Sequence, residues 1–132
     1  SDATTGYKML SGFKAAALMA QSGDTQGAAN AYDTLAGDDS LEASYRDLAI
    51  LLGAVQRING GEDTSTVTSR LASLAADNNP WRFSAKEMIA VLAEQSGDKA
   101  KARELFKTLA EDAAAPQGVR QRAGEMLSAL AE

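Results

Sequence analysis

Apolar side chains recur at fixed distances from three aspartates. Four, eight, eleven and twelve residues past Asp24 stand Ala28, Tyr32, Leu35 and Ala36; past Asp63, Val67, Leu71, Leu74 and Ala75; past Asp98, Ala102, Phe106, Leu109 and Ala110. Those offsets put each quartet on one face of an α-helix, where residues three and four apart are neighbours. Gly23 and Gly97, immediately before two of the aspartates, suit the left-handed position that ends a helix, and the aspartate can cap the next one by accepting from its free N–H groups. The middle corner reads Asn59-Gly60-Gly61-Glu62-Asp63, a looser turn with one or two extra residues. Asn78-Asn79-Pro80 is the strongest stop between hairpins, while Asp38-Asp39-Ser40 and Ala115-Pro116-Gln117 start the helices that follow them. The pattern predicts seven helices, at about 4–22, 24–37, 41–58, 64–77, 81–96, 98–113 and 117–131.

The tetrapeptide Gln-Ser-Gly-Asp occurs at 21–24 and again at 95–98. Shifting the chain by 74 positions aligns Leu18 to Ile58 with Leu92 to Glu132 without a gap, and twelve of the 41 pairs are identical, among them Leu18/Leu92, Ala28/Ala102, Leu35/Leu109, Asp38/Asp112 and Ala49/Ala123. Seventy-four residues suit two helical hairpins of about 34 residues or slightly more. The expected fold is therefore all-α, a single domain of three hairpins at about 4–37, 41–77 and 81–113, closed by a C-terminal capping helix at about 117–131.

Composition agrees with helices packed through small side chains: 27 alanines against seven aromatics and two prolines in 132 residues. The net charge of −5 and the lack of any Lys/Arg block argue against the basic patch that nucleic-acid binders advertise. With no histidine and no cysteine, imidazole bases, thiol nucleophiles and nitrogen or sulfur metal sites are unavailable. The acidic pairs Asp38-Asp39, Glu62-Asp63 and Glu111-Asp112 stand at predicted helix ends, where capping and favourable placement near helix starts explain some of them. The stretch 59–63 lacks the alternating oxygen ligands and distant glutamate of a calcium loop, and Gly60-Gly61 is followed by acid rather than by a phosphate-binding lysine. No cofactor and no enzymatic activity are expected. No apolar run reaches the roughly 18 residues of a membrane span.

Trp81, Tyr32 and Phe106 are expected to pack between helices, and the four scattered methionines to fill the core. The positive charges at Lys99 to Arg103, Arg120 and Arg122 are interspersed with acids at Asp98, Glu104 and Glu125 and read as a solvated face.

Ala28-x3-Tyr32 and Ala102-x3-Phe106, with the Leu52-Gly53 pair, resemble the tetratricopeptide repeat. Ala16 and Ala90 stand where that family has glycine, its first-helix tryptophan and tyrosine are missing, and Pro116 lies later than its proline. Asn79-Pro80-Trp81-Arg82 and the stretch from Ala115 to Ala123 resemble the tetratricopeptide-like domain of bacterial inner-membrane proteins related to the ancillary subunit of the Sec translocon. The resemblance implies a right-handed stack of hairpins and a periplasmic location, with a membrane anchor preceding Ser1. Its register implies a concave groove at Phe13, Ala17, Ile50, Ala54, Glu87 and Val91. An apolar centre with an acidic edge would take an extended or helical peptide carrying some positive charge. The function expected is a non-enzymatic protein-interaction module, a scaffold or accessory factor in envelope protein export, folding or assembly. The alternative is a self-associating homo-oligomer paired through the stacking face of its first or last hairpin.

Overall fold

Each expected apolar stripe becomes the buried face of a helix. In a computed structural model that describes residues 3–131, the chain forms α1 (Ala3–Gln21), α2 (Thr25–Ala36), α3 (Ala43–Asn59), α4 (Thr64–Ala72), α5 (Arg82–Gln95), α6 (Lys99–Glu111) and α7 (Gln117–Leu130), with a 3-10 turn at Ser73–Ala75. There is no strand among the described residues. Ser1, before which an anchor is expected, and Glu132, the last aligned position of the 74-residue shift, lie outside the described residues.

Residues four, eight and eleven past the three aspartates are all buried: Ala28, Tyr32 and Leu35; Val67, Leu71 and Leu74; Ala102, Phe106 and Leu109. The twelfth, Ala36, Ala75 and Ala110, is half-buried in every case. Helix α4 is shorter than its pattern suggests. Its sequence is crowded with serine and threonine, which compete for backbone hydrogen bonds, and Ser69 Oγ donates back to the Ser65 carbonyl at 3.0 Å. The last turn tightens to 3-10 geometry, which still buries Leu74.

The corners explain how the helices are joined. Gly23, Gly61 and Gly97 have φ of 86°, 79° and 89°, the left-handed conformation that costs an L-residue with a side chain. After each, an N–H reaches back five residues to the end of the preceding helix: Asp24 to the Met19 carbonyl at 2.9 Å, Glu62 to Arg57 at 2.9 Å and Asp98 to Ala93 at 3.0 Å. These are Schellman closures, which satisfy carbonyls the helix cannot. Asp24 and Asp98 then cap α2 and α6 by accepting from the Gly27 and Lys101 N–H groups at 2.9 and 3.1 Å. In the middle corner one residue, Glu62, is inserted between the left-handed glycine and Asp63, whose carbonyl accepts from Val67 N–H as Asp24 and Asp98 accept from Ala28 and Ala102.

The loops before α3 and α7 are also alike. Asp38 Oδ1 accepts from Ser40 N–H at 2.9 Å, and Asp112 Oδ1 from Ala114 N–H at 2.9 Å. These aspartates fold their loops rather than cap helices. Neither Glu42 before α3 nor Pro116 before α7 makes a side-chain cap, and α3 begins at Ala43, two residues later than expected.

The contacts group into two compact units, Ser1–Leu71 and Ala72–Glu132, divided within α4. In the first, α2 lies against α1 and α3. Its core contains Ala16, Ala28, Tyr32, Leu35, Leu41 and Ala49. In the second, α6 lies against α5 and α7, and α5 also touches α7 and the 3-10 turn. Its core contains Ala90, Ala102, Phe106, Leu109, Ala115 and Ala123, with Ala93 and Val119 added. Each of the first six residues stands 74 positions after its counterpart in the first core.

Candidate functional site

Three surfaces of the first unit, and the corresponding helix of the second, bear on function. The groove positions implied by the tetratricopeptide register lie in different environments. Counting back seven residues from the left-handed glycines gives Ala16, Ala54 and Ala90, with exposures of 0%, 3% and 0%. Ala54 therefore belongs to a row of buried small residues and lines no open surface. Gly61, and not Gly60, is the left-handed residue of the middle corner, which sets the register of α3 one residue later than the groove register. On the same count Leu51 corresponds to Phe13 and Glu87, and Val55 to Ala17 and Val91, where the groove register has Ile50 and Ala54.

The other candidates divide by environment. Phe13 is half-buried against the first core, its ring 6.1 Å from that of Tyr32, and Val91 packs on the second core. Ile50 is half-buried and Ala17 is exposed. Glu87 is held by Arg122, whose Nε and a terminal nitrogen donate to its two carboxylate oxygens at 2.7 and 3.0 Å. That bidentate pair leaves Glu87 without the free charge an acidic groove edge requires. Trp81 is half-buried at the start of α5, with its backbone N–H donating to Asn79 Oδ1 at 2.8 Å.

A polar cleft of about 480 Å³ opens between the start of α2, the end of α3 and Arg70 of α4. Thr25, Gln26, Ala29, Gln56, Arg57, Gly60, Gly61, Glu62 and Arg70 line it. Arg57, 9% exposed, donates to Asp33 Oδ2 and stands 3.6 Å from Glu62 Oε2. Arg70 donates to the other Asp33 oxygen at 2.8 Å. Two guanidiniums and two carboxylates balance, so the cleft presents no excess charge and the cluster ties α2, α3 and α4 together. Sequence reasoning missed it, although an arginine on an otherwise apolar helix face next to an extra glutamate in the corner was a signal for it.

The third surface is the outward face of α1. Tyr7, Leu10, Leu18 and Met19 are 78%, 65%, 55% and 37% exposed. Tyr7, Leu10, Lys14, Ala17 and Gln21 follow a spacing of three and four residues, opposite the face carrying Phe13 and Ala16, and Leu18 borders the same strip. Lys14 is exposed and makes no ion pair among the described residues.

No helix of the described residues is long and apolar enough to cross a membrane, and no three acidic side chains among them cluster as metal ligands. No family model matches the chain, and no curated protein or solved structure matches it significantly.

Proposed function

We propose that the chain is a non-enzymatic protein-interaction module built as a tetratricopeptide-like right-handed stack of three hairpins with α7 as its cap. The observation that carries this reading is the recurrence of one hairpin geometry: a left-handed glycine, a Schellman closure and a buried stripe at constant offsets, in three successive places. Units of this kind cannot bury their apolar faces alone and stack for cover, which leaves extended helical surfaces for partners. Gly53 supports it further. A Cβ there would stand 3.3 Å from Tyr32 Cβ, so α3 and α2 approach closely at the glycine of the Leu52-Gly53 pair.

In this reading each unit presents its own first helices to a partner, at Ala17 and Val55 in one and at Val91 in the other. The bound partner is a protein or peptide, and the module works as a scaffold or accessory factor at the bacterial envelope, on the periplasmic side of the inner membrane and tethered by a preceding anchor. The location and the pathway rest on the resemblance of the 79–82 and 115–123 stretches alone. An unbiased chemical crosslinking screen of the full-length protein in envelope extracts tests it: reproducible envelope-protein adducts on α1, α3 or α5 are expected, and their absence would remove the reading.

A further inference from the structure

Helix α1 is apolar on two sides. Phe13 and Ala16 face the core, yet the opposite side carries Tyr7, Leu10 and Leu18 into solvent. A surface helix ordinarily turns charged and polar residues outward, and a contiguous apolar strip rimmed by polar groups marks an interaction site. The internal correspondence sharpens the point. Leu18 and Leu92 are the same residue at equivalent positions of α1 and α5, but Leu18 is 55% exposed and Leu92 only 1%. The leucine is covered on α5, and on α1 it is bare.

Charge specifies what can cover it. The helix from Ala3 to Gln21 contains Lys8 and Lys14 and no acid, in a chain of net charge −5. Lys8 stands 3.8 Å from Asp38, whereas Lys14 sits at the middle of the bare strip, between Leu10 and Leu18. A second copy of α1 is a poor occupant. Antiparallel pairing centred on the strip sets Leu10 against Leu18 and places Lys14 on the two-fold axis facing itself, and parallel pairing also opposes Lys14 to Lys14. Like charges so placed disfavour association.

We infer that the outward face of α1 docks an amphipathic helix of a different protein that carries a carboxylate between two apolar residues, in the order Leu-x3-Glu-x3-Leu or its equivalent. The leucines cover Leu10 and Leu18, and the carboxylate meets the Lys14 ammonium in a helix-in-groove contact with one polar pair fixing the register. This deepens the interaction-module reading and rests on it, naming the chemistry of the partner at the first helix.

The test measures fluorescence anisotropy of a labelled alanine-rich helical peptide of about 21 residues bearing that motif, with full-length protein, against the same peptide with lysine in place of glutamate. The glutamate peptide is expected to bind and the lysine peptide to bind at least about tenfold more weakly, with Lys14→Glu reversing the preference. Leu18→Glu should abolish binding while leaving the thermal unfolding curve in place, because that side chain is largely solvated. Equal binding of both peptides, or binding of neither, would overturn the inference. So would sedimentation as a dimer that Leu10→Glu dissociates, which would assign the face to a second copy. Binding to phosphatidylglycerol vesicles through Lys14 with no binding of either peptide would assign it to a membrane surface. Failure of the peptide while envelope proteins still crosslink at Val55 and Val91 would remove this inference and leave the module reading standing.

Discussion

Single residues set the corners, and their contributions separate cleanly. Nothing lies within 4 Å of where a Cβ would stand on Gly23 or Gly97, yet both have φ near 90°, so alanine meets backbone strain and no clash. Gly97→Ala is expected to lower unfolding free energy by about 1–2 kcal/mol, and Asp98→Ala by about 1 kcal/mol through loss of the cap; denaturant titration at constant slope measures both. Asp38 and Asp63 each contribute to the pH dependence. Hydrogen bonds from the Ser40 and Ser65 side chains, then from their backbone N–H groups, hold these carboxyls below their ordinary value of 3.8. The unfolded chain therefore binds protons first, so their stabilisation is complete above about pH 4. It is lost as pH falls through the lower folded-state values. Asp38→Asn and Asp63→Asn should flatten the acid limb of a stability-versus-pH curve and leave its slope near neutrality unchanged. Asp33 has a larger role than its 40% side-chain exposure suggests, because it neutralises a buried arginine. Asp33→Ala is expected to cost on the order of 2 kcal/mol by leaving Arg57 with only Glu62, whereas Arg70→Ala, which removes a half-exposed partner, should cost under about 1 kcal/mol.

At the scale of helices, close approach decides which small residues matter. A Cβ on Gly53 would touch Tyr32 Cβ at 3.3 Å, while one on Gly124 in α7 meets nothing within 4 Å. Gly53→Val should therefore force α2 and α3 apart and cost about 1–3 kcal/mol, and Gly124→Ala should gain about 0.5–1 kcal/mol of helix propensity, both read from thermal unfolding. The helices and their buried stripes were legible in the sequence because offsets of four, eight and eleven residues suit one helical face and no strand. Whether the middle corner holds one extra residue or two was not. Gly60 and Gly61 are adjacent, either can take a positive φ, and which one does fixes the register of everything before it. Gly60 has φ of −83° and Gly61 of 79°, which makes Ala54 the counterpart of the buried Ala16 and Ala90 and the half-buried Val55 the counterpart of Ala17 and Val91. The candidate groove was legible only as a helix face, since burial of Ala54 and neutralisation of Glu87 by Arg122 depend on partners 35 or more residues away in sequence or on that one-residue shift.

For the whole chain, the core of each unit repeats the other at a 74-residue spacing, down to Leu41 and Ala115 behind the folded loops. The departures fall beyond those shared buried positions, on first helices, where Phe13 and Ala20 correspond to Glu87 and Glu94 and Ala17 to Val91, and on second helices, where Gly27 and Asp33 correspond to Lys101 and Lys107. One hairpin design thus carries different surfaces, as expected of a module whose core is kept for folding and whose helix faces serve binding. Site-specific photocrosslinking of the full-length protein in cells tests that claim most directly, with the probe at Ala17, Val55 or Val91 and controls at Gln26 and Lys101 on α2 and α6. Adducts to one common protein partner from the first three positions and none from the controls is the expected result. Adducts from neither set, or equally from both, would contradict the assignment of partner binding to the first helices of the hairpins.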